Sequence, residues 1–175
     1  MKVFKWIAIV IGTLVAVFFV GAALMPPAFK VERTATINAP AEKIFPLIAD
    51  PRAWSKWGVW VKREPTLKMA YSGAATGVGA KWEWEGKDGK GAMEFTAVEP
   101  GKSLVYAISF PDIGMRSMGR LTLAPEGTAT RVTWVAEGDV GKNPLIRWFV
   151  PFLDGMLGAD FAAGLAGLKV LAETK

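Results

Sequence analysis

Between Lys5 and Lys30 the chain carries no charged residue, and no other stretch limits the fold so tightly. Trp6 to Met25 supplies the roughly 20 apolar residues that a helix needs to cross a bilayer core. Trp6 beside Lys2 and Lys5 suits a membrane interface, and Pro26 with Pro27 ends the helix at the far side. A cleavable signal peptide has an apolar core of only ~7–15 residues, so this run is too long for one, although Val20-Gly21-Ala22 could serve as a cleavage site. Residues 1–28 therefore read as an N-terminal transmembrane anchor, or an uncleaved signal. Lys2 and Lys5 favour a cytoplasmic N-terminus, whereas Lys30 and Arg33 blunt the asymmetry. The expectation is a single-pass protein of the cell membrane with its domain outside the cytoplasm.

Residues 29–175 read as one domain, without repeat, low-complexity tract or internal linker. With 175 residues in all, the chain can build one sizeable core. The formal charge is +5, but lysines and arginines are scattered singly among acids, so nucleic acid is not an expected partner. Attraction to anionic headgroups accounts for the charge of a tethered domain. The sequence contains neither histidine nor cysteine. Ser-His-Asp and Cys-His nucleophile systems, disulfides and ordinary zinc sites are thereby excluded.

"FKVERTATI" (29–37) alternates as a strand, with Val31, Arg33, Ala35 and Ile37 on one face. "NAPAEKIFPLIAD" starts a short helix, with Asn38 or Ala39 near the cap and Pro46 limiting it. "PRAWSKWGVW" places Trp54, Trp57 and Trp60 three apart, on one side of a further helical turn. Those rings suit either an aromatic plug or a mouth that contacts ligand or lipid.

From Thr66 onward strand succeeds strand. "KWEWEG" puts Trp82 and Trp84 on its dry face, and "AMEFTAV" puts Met93, Phe95 and Ala97 there, across a glycine-rich turn. "SLVYAISF", "MGRLTL" and "TRVTWVAE" add Tyr106 and Ile108, then Gly119, Leu121 and Leu123, then Val132 and Trp134. The pattern predicts an antiparallel meander with one wet side. Glu83, Glu94 and Asp112 fall on wet or loop positions. "SGAATGVGAKW" lacks the Lys-Ser/Thr ending of a phosphate loop and precedes a strand, and "GKDGKG" holds one acid, too few for calcium. No metal and no cofactor is expected.

The last segment, "GADFAAGLAGLKVLAE" (158–173), has helical spacing but contains Gly158, Gly164 and Gly167. Each glycine costs a helix roughly 1 kcal/mol against alanine, so the missing side chains must make room for something. Leu157, Phe161, Leu165, Leu168 and Leu171 form one stripe, with Gly164 among them. The gap lies in the buried face. It admits either close approach of the sheet or a hollow between helix and sheet.

This order of elements resembles the helix-grip fold of the START-like polyketide cyclase and lipid-transfer superfamily (SRPBCC). The resemblance covers residues ~30 to 173 and rests on "INAPAEKIFPLIAD" with "WSKWGVW", "GVGAKWEWEG", "EPGKSLVY" and "GLAGLK". It implies an α+β domain, a curved antiparallel sheet of about seven strands around a long C-terminal helix, with an apolar cavity between them. The implied ligand-binding wall comprises Trp57, Trp60, Trp82, Trp84, Phe95, Tyr106, Trp134, Phe161, Gly164, Leu165 and Leu168. A catalytic member would need a polar group inside, and Tyr106 is the one weak candidate.

Three functions fit the sequence. The first is membrane-tethered binding of an apolar small molecule, lipid or isoprenoid-like, without catalysis. The second is a cyclase or aromatase using the same cavity. The third is an interaction protein whose cavity is packed shut, with Ala159, Ala163 and Gly167 as a contact row. "RWFVPFLDGML" adds an apolar patch, Trp148 to Leu153, that either starts the core helix or dips into the bilayer.

Overall fold

The computed structural model describes residues 2–141 and 143–174. Helix α1 (Lys2–Leu24) leads into strand β1 (Ala28–Ile37), whose alternation buries Val31 and Ile37 completely. Three short helices come next: α2 (Ala41–Ala49), α3 (Trp54–Trp57) and α4 (Trp60–Arg63). Six strands then run as a meander: β2 (Lys68–Gly73), β3 (Ala80–Gly86), β4 (Gly89–Glu99), β5 (Ser103–Phe110), β6 (Met115–Glu126) and β7 (Ala129–Asp139). A 3-10 turn at Pro111–Ile113 links β5 to β6, and a short helix α5 (Pro144–Arg147) precedes the long helix α6 (Val150–Glu173).

All seven strands form one antiparallel sheet in the order β1-β7-β6-β5-β4-β3-β2, so the first strand closes against the last. The hairpins turn at glycines such as Gly101 and Gly127, with φ of 74° and 64°, a region that favours residues without a Cβ. Helix α6 lies along the inner face beside β1, tied by Arg33 to Asp154 at 2.9 Å near its start and by Lys169 to the Thr36 carbonyl at 2.8 Å near its end. The antiparallel meander is the one expected from the strand pattern, and its closure around α6 is the helix-grip arrangement that the resemblance implied.

Two local expectations need correction. Pro40, with φ −70° and ψ 155°, caps α2 and makes no side-chain bond; the Asn38 amide instead donates to Glu173. Ala97 is exposed, because β4 carries a bulge between Phe95 and Ala97 that shifts the alternation by one. Beyond the bulge Val98 takes the inward position.

Helix α1 is long and apolar enough to cross a membrane, and nearly all its side chains are exposed. Helix α6 meets the same measure of length and composition, but it buries Phe161, Gly164, Leu165 and Leu168 in the core. Its burial makes it the central helix of the domain.

Candidate functional site

The glycines of α6 show what occupies the inner face. A Cβ on Gly158 would strike the Arg33 guanidinium, which crosses there to bond Asp154. At Gly164 a Cβ would lie 3.0 Å from the Trp134 ring, and at Gly167 only 2.5 Å from the backbone oxygen of Trp57. The three missing side chains thus admit a cation, a ring and a neighbouring backbone. The space that a sequence reading leaves between helix and sheet is taken up here by large side chains.

Trp54 is the hub of that packing. Its ring centroid lies 4.7 Å from Trp57, 5.5 Å from Trp82, 5.9 Å from Phe95, 5.5 Å from Tyr106 and 5.6 Å from Trp134. Tilted and edge-on contacts at these distances add to the area buried. Three buried indoles of the cluster also satisfy their N–H groups. Trp54 donates to the Ile48 carbonyl at 2.8 Å, Trp57 to the Leu47 carbonyl at 2.9 Å and Trp134 to the Tyr106 hydroxyl at 2.8 Å. Helices α2 and α3 are thereby pinned over the middle of the sheet.

The packing stops short at one end. Trp84, Gly91, Phe110 and Met115 stand in one cross-strand row, and Trp82, Met93, Ile108 and Ser117 form the next. Trp84 meets Phe110 edge-on at 5.8 Å, its ring lying where a Gly91 side chain would project. Trp84, Ile108, Phe110 and Met115 are only half-buried, as are Trp60 on α4 and Leu153 and Leu157 on the first turns of α6. Together they leave a half-open apolar surface at one end of the inner face, termed the recess. It lies at the sheet end where β1 begins: Arg116 pairs with Asp139, Asp139 with Ala28, and the Val140 amide donates to the Pro27 carbonyl at 2.9 Å. The recess and the end of α1 therefore share one edge of the domain.

A family model described as polyketide cyclase / dehydrase and lipid transport matches residues 28–173. The chain belongs to this family. Solved structures share the fold at low identity. Protein CV1439 from Chromobacterium violaceum is 20% identical with a TM-score of 0.61, covering 84% of this chain and 99% of that one. Protein MLL2253 from Mesorhizobium loti is 22% identical with a TM-score of 0.60, covering 81% and 95%. DynU16, described as a putative protein in the dynemicin biosynthetic locus, is 23% identical with a TM-score of 0.56, covering 83% of this chain and 47% of that one. No curated protein matches.

For this member of the polyketide cyclase and lipid-transport family, the residues expected to line a cavity divide into two groups. Trp57, Trp82, Phe95, Tyr106, Trp134, Phe161, Gly164, Leu165 and Leu168 are buried in the packed core. Trp60 and Trp84 are half-open and border the recess. Phe110, Met115 and Leu153 join them there, outside the wall expected from sequence; Phe110 continues the inward alternation of Tyr106 and Ile108, and that signal was available. Trp54, the hub, is visible in the sequence only as one of three spaced tryptophans. Of those three, Trp54 and Trp57 are buried as a plug, and Trp60 is half-buried, edge-on to Trp134 at 5.9 Å.

The polar chemistry is sparse. Burial raises the Tyr106 phenol above its ordinary range, so it stays protonated, and its oxygen accepts from Trp134. Thr130, the other buried polar side chain on the sheet, bonds to the Ala39 carbonyl at 2.8 Å. Among the described residues no group of three acids could hold a metal. A shallow concavity of about 1090 Å³ lies on the opposite, outer face of the sheet, with Met118, Ala107 and Val105 amid Lys81, Glu94 and Arg120. It is open and lined by charges of both signs, so the apolar recess is the better candidate for recognising a greasy molecule.

Proposed function

We propose that this protein is a membrane-tethered binder of apolar small molecules, lipid or isoprenoid-like, and that the ligand sits in the recess between Trp84, Phe110, Met115 and Trp60. The carrying observation is the half-buried aromatic row, which has no acid or base among its named members and lies at the edge of the domain next to α1. Membership of a family that includes lipid transport is consistent with it. Rings left half-open at a packed core gain roughly 25 cal/mol for each Å² of apolar surface that a ligand covers. Catalysis finds little support, since Tyr106 lies beneath Trp54 and is held in its neutral form.

The ring-filled core favours one other reading, an interaction protein that carries no ligand. Native mass spectrometry of the full chain, released from membranes in a mild detergent, separates the two. The binding reading expects a population heavier by one apolar small molecule. A single bare mass, persisting after exposure to membrane lipid extract, would leave the interaction reading in its place.

A further inference from the structure

We propose that the corner between α5 and α6 is itself seated in the bilayer that α1 crosses, locked there by Trp148. The inference rests on the reading of α1 as a membrane span. Its chemical partner is the acyl and glycerol region of a lipid bilayer.

Simple geometry sets the depth. A helix rises 1.5 Å per residue, so Phe18 lies roughly 9 Å along the axis from the end of α1 at Leu24. If residues 6–25 fill the hydrocarbon core, Phe18 and Gly21 are inside the membrane surface and not above it. Trp148 stacks on Phe18, with ring centroids 6.0 Å apart and planes at 27°. Its benzo ring also presses on the bare backbone of Gly21, where a Cβ would come within 2.5 Å. Trp148 therefore shares the depth of those residues, and Ala22 beside them is buried. Its indole N–H is the buried side-chain polar atom left without a partner among the described residues.

The segment after Trp148 has the surface this position requires. Phe149, Phe152 and Met156 are 59%, 63% and 62% exposed and recur at helical spacing on one stripe; Leu145, at 63%, extends it onto α5. Large apolar side chains grouped in this way are rare on a surface facing water. An interfacial helix sinks its apolar face roughly 5–10 Å, which matches the depth fixed by Trp148. The recess lies at the same edge, so an apolar ligand could pass into it from the bilayer without crossing water.

The chain has no cysteine, so single-cysteine variants can carry a nitroxide without background. Full-length Phe149→Cys, Phe152→Cys, Val10→Cys and Val170→Cys would be reconstituted in phosphatidylcholine/phosphatidylglycerol vesicles. Collision of each label with oxygen and with a water-soluble nickel chelate then reads its depth. The expected oxygen-to-nickel ratio is severalfold higher at 149 and 152 than at Val170, which is 69% exposed toward the other end of α6. Gly21→Leu, which puts a side chain where the Trp148 ring lies, and Trp148→Ala, which removes the ring, should each return the 152 label toward the aqueous value while the label at 10 stays in lipid. Aqueous labels at 149 and 152 with a lipid-exposed label at 10 would overturn the inference and leave the anchor standing. A label at 152 that stays in lipid in both variants would overturn the role of Trp148. An aqueous label at 10 would overturn the anchor and this inference together.

Discussion

The rings of Trp134 and Phe161 lie face to face, with centroids 4.1 Å apart and planes within 2° of parallel. This stack joins the centre of the sheet to the centre of α6, beside the Gly164 backbone. It carries the grip of the sheet on its helix. Phe161→Ala removes a fully packed ring and should cost about 3–5 kcal/mol. Urea unfolding of the detergent-solubilised chain, monitored by near-ultraviolet circular dichroism, reads that loss as a lower midpoint.

The helix glycines should respond with opposite signs. Nothing lies within 4 Å of a Cβ placed on Gly155, so Gly155→Ala should stabilise α6 by about 0.5–1 kcal/mol. Gly167→Ala places its methyl 2.5 Å from the Trp57 carbonyl oxygen, and backbone cannot swing aside as a side chain can. The midpoint should rise in the first variant and fall in the second, in the same urea titration.

That contrast marks how far the sequence could be read. Alternation along β3, β5, β6 and β7 assigned Trp82, Tyr106, Leu121 and Trp134 to the dry face, because a half-buried strand leaves a period of two in its side chains. It failed at Ala97, where a bulge inserts one residue and inverts the phase, and no local residue type announces a bulge. The glycine gaps of α6 were equally visible, but their contents were not. A gap records that a Cβ is excluded; the excluding group, Arg33 or Trp134 or the Trp57 backbone, comes from residues between 30 and 125 positions away. The recess has the same cause. Trp84 and Phe110 meet across strands β3 and β5 at 5.8 Å, a pairing set by register that periodicity along one strand does not carry.

Tyr106 predicts an alkaline limit. Its folded pKa lies above the ordinary value near 10, so the neutral phenol is favoured in the native state. The unfolded chain loses that proton at lower pH. Stability from this group is therefore complete below about pH 10 and declines as pH rises past it. Tyr106→Phe should remove that part of the alkaline decline. At neutral pH it should also cost about 1–3 kcal/mol, since the buried Trp134 N–H loses its acceptor. Unfolding midpoints of both chains, compared at neutral pH and above pH 10, check the two effects.

The recess should tolerate substitutions that the core does not. Met115 is half-exposed, so Met115→Glu should leave the far-ultraviolet spectrum and thermal midpoint nearly unchanged. A carboxylate against an apolar ligand must lose water on binding, and about 1.4 kcal/mol of such a penalty weakens binding about tenfold. Titration with a fluorescent fatty-acid probe would read the change. Leu165→Glu, in the core, should unfold the domain.

The most direct test is photo-crosslinking in intact membranes with a diazirine-bearing fatty acid, then peptide mapping of the full chain. Binding in the recess predicts adducts on the inner-face segments that carry Trp84, Phe110 and Met115, in addition to α1. Adducts confined to α1, or placed on the outer sheet face at Met118, would contradict it.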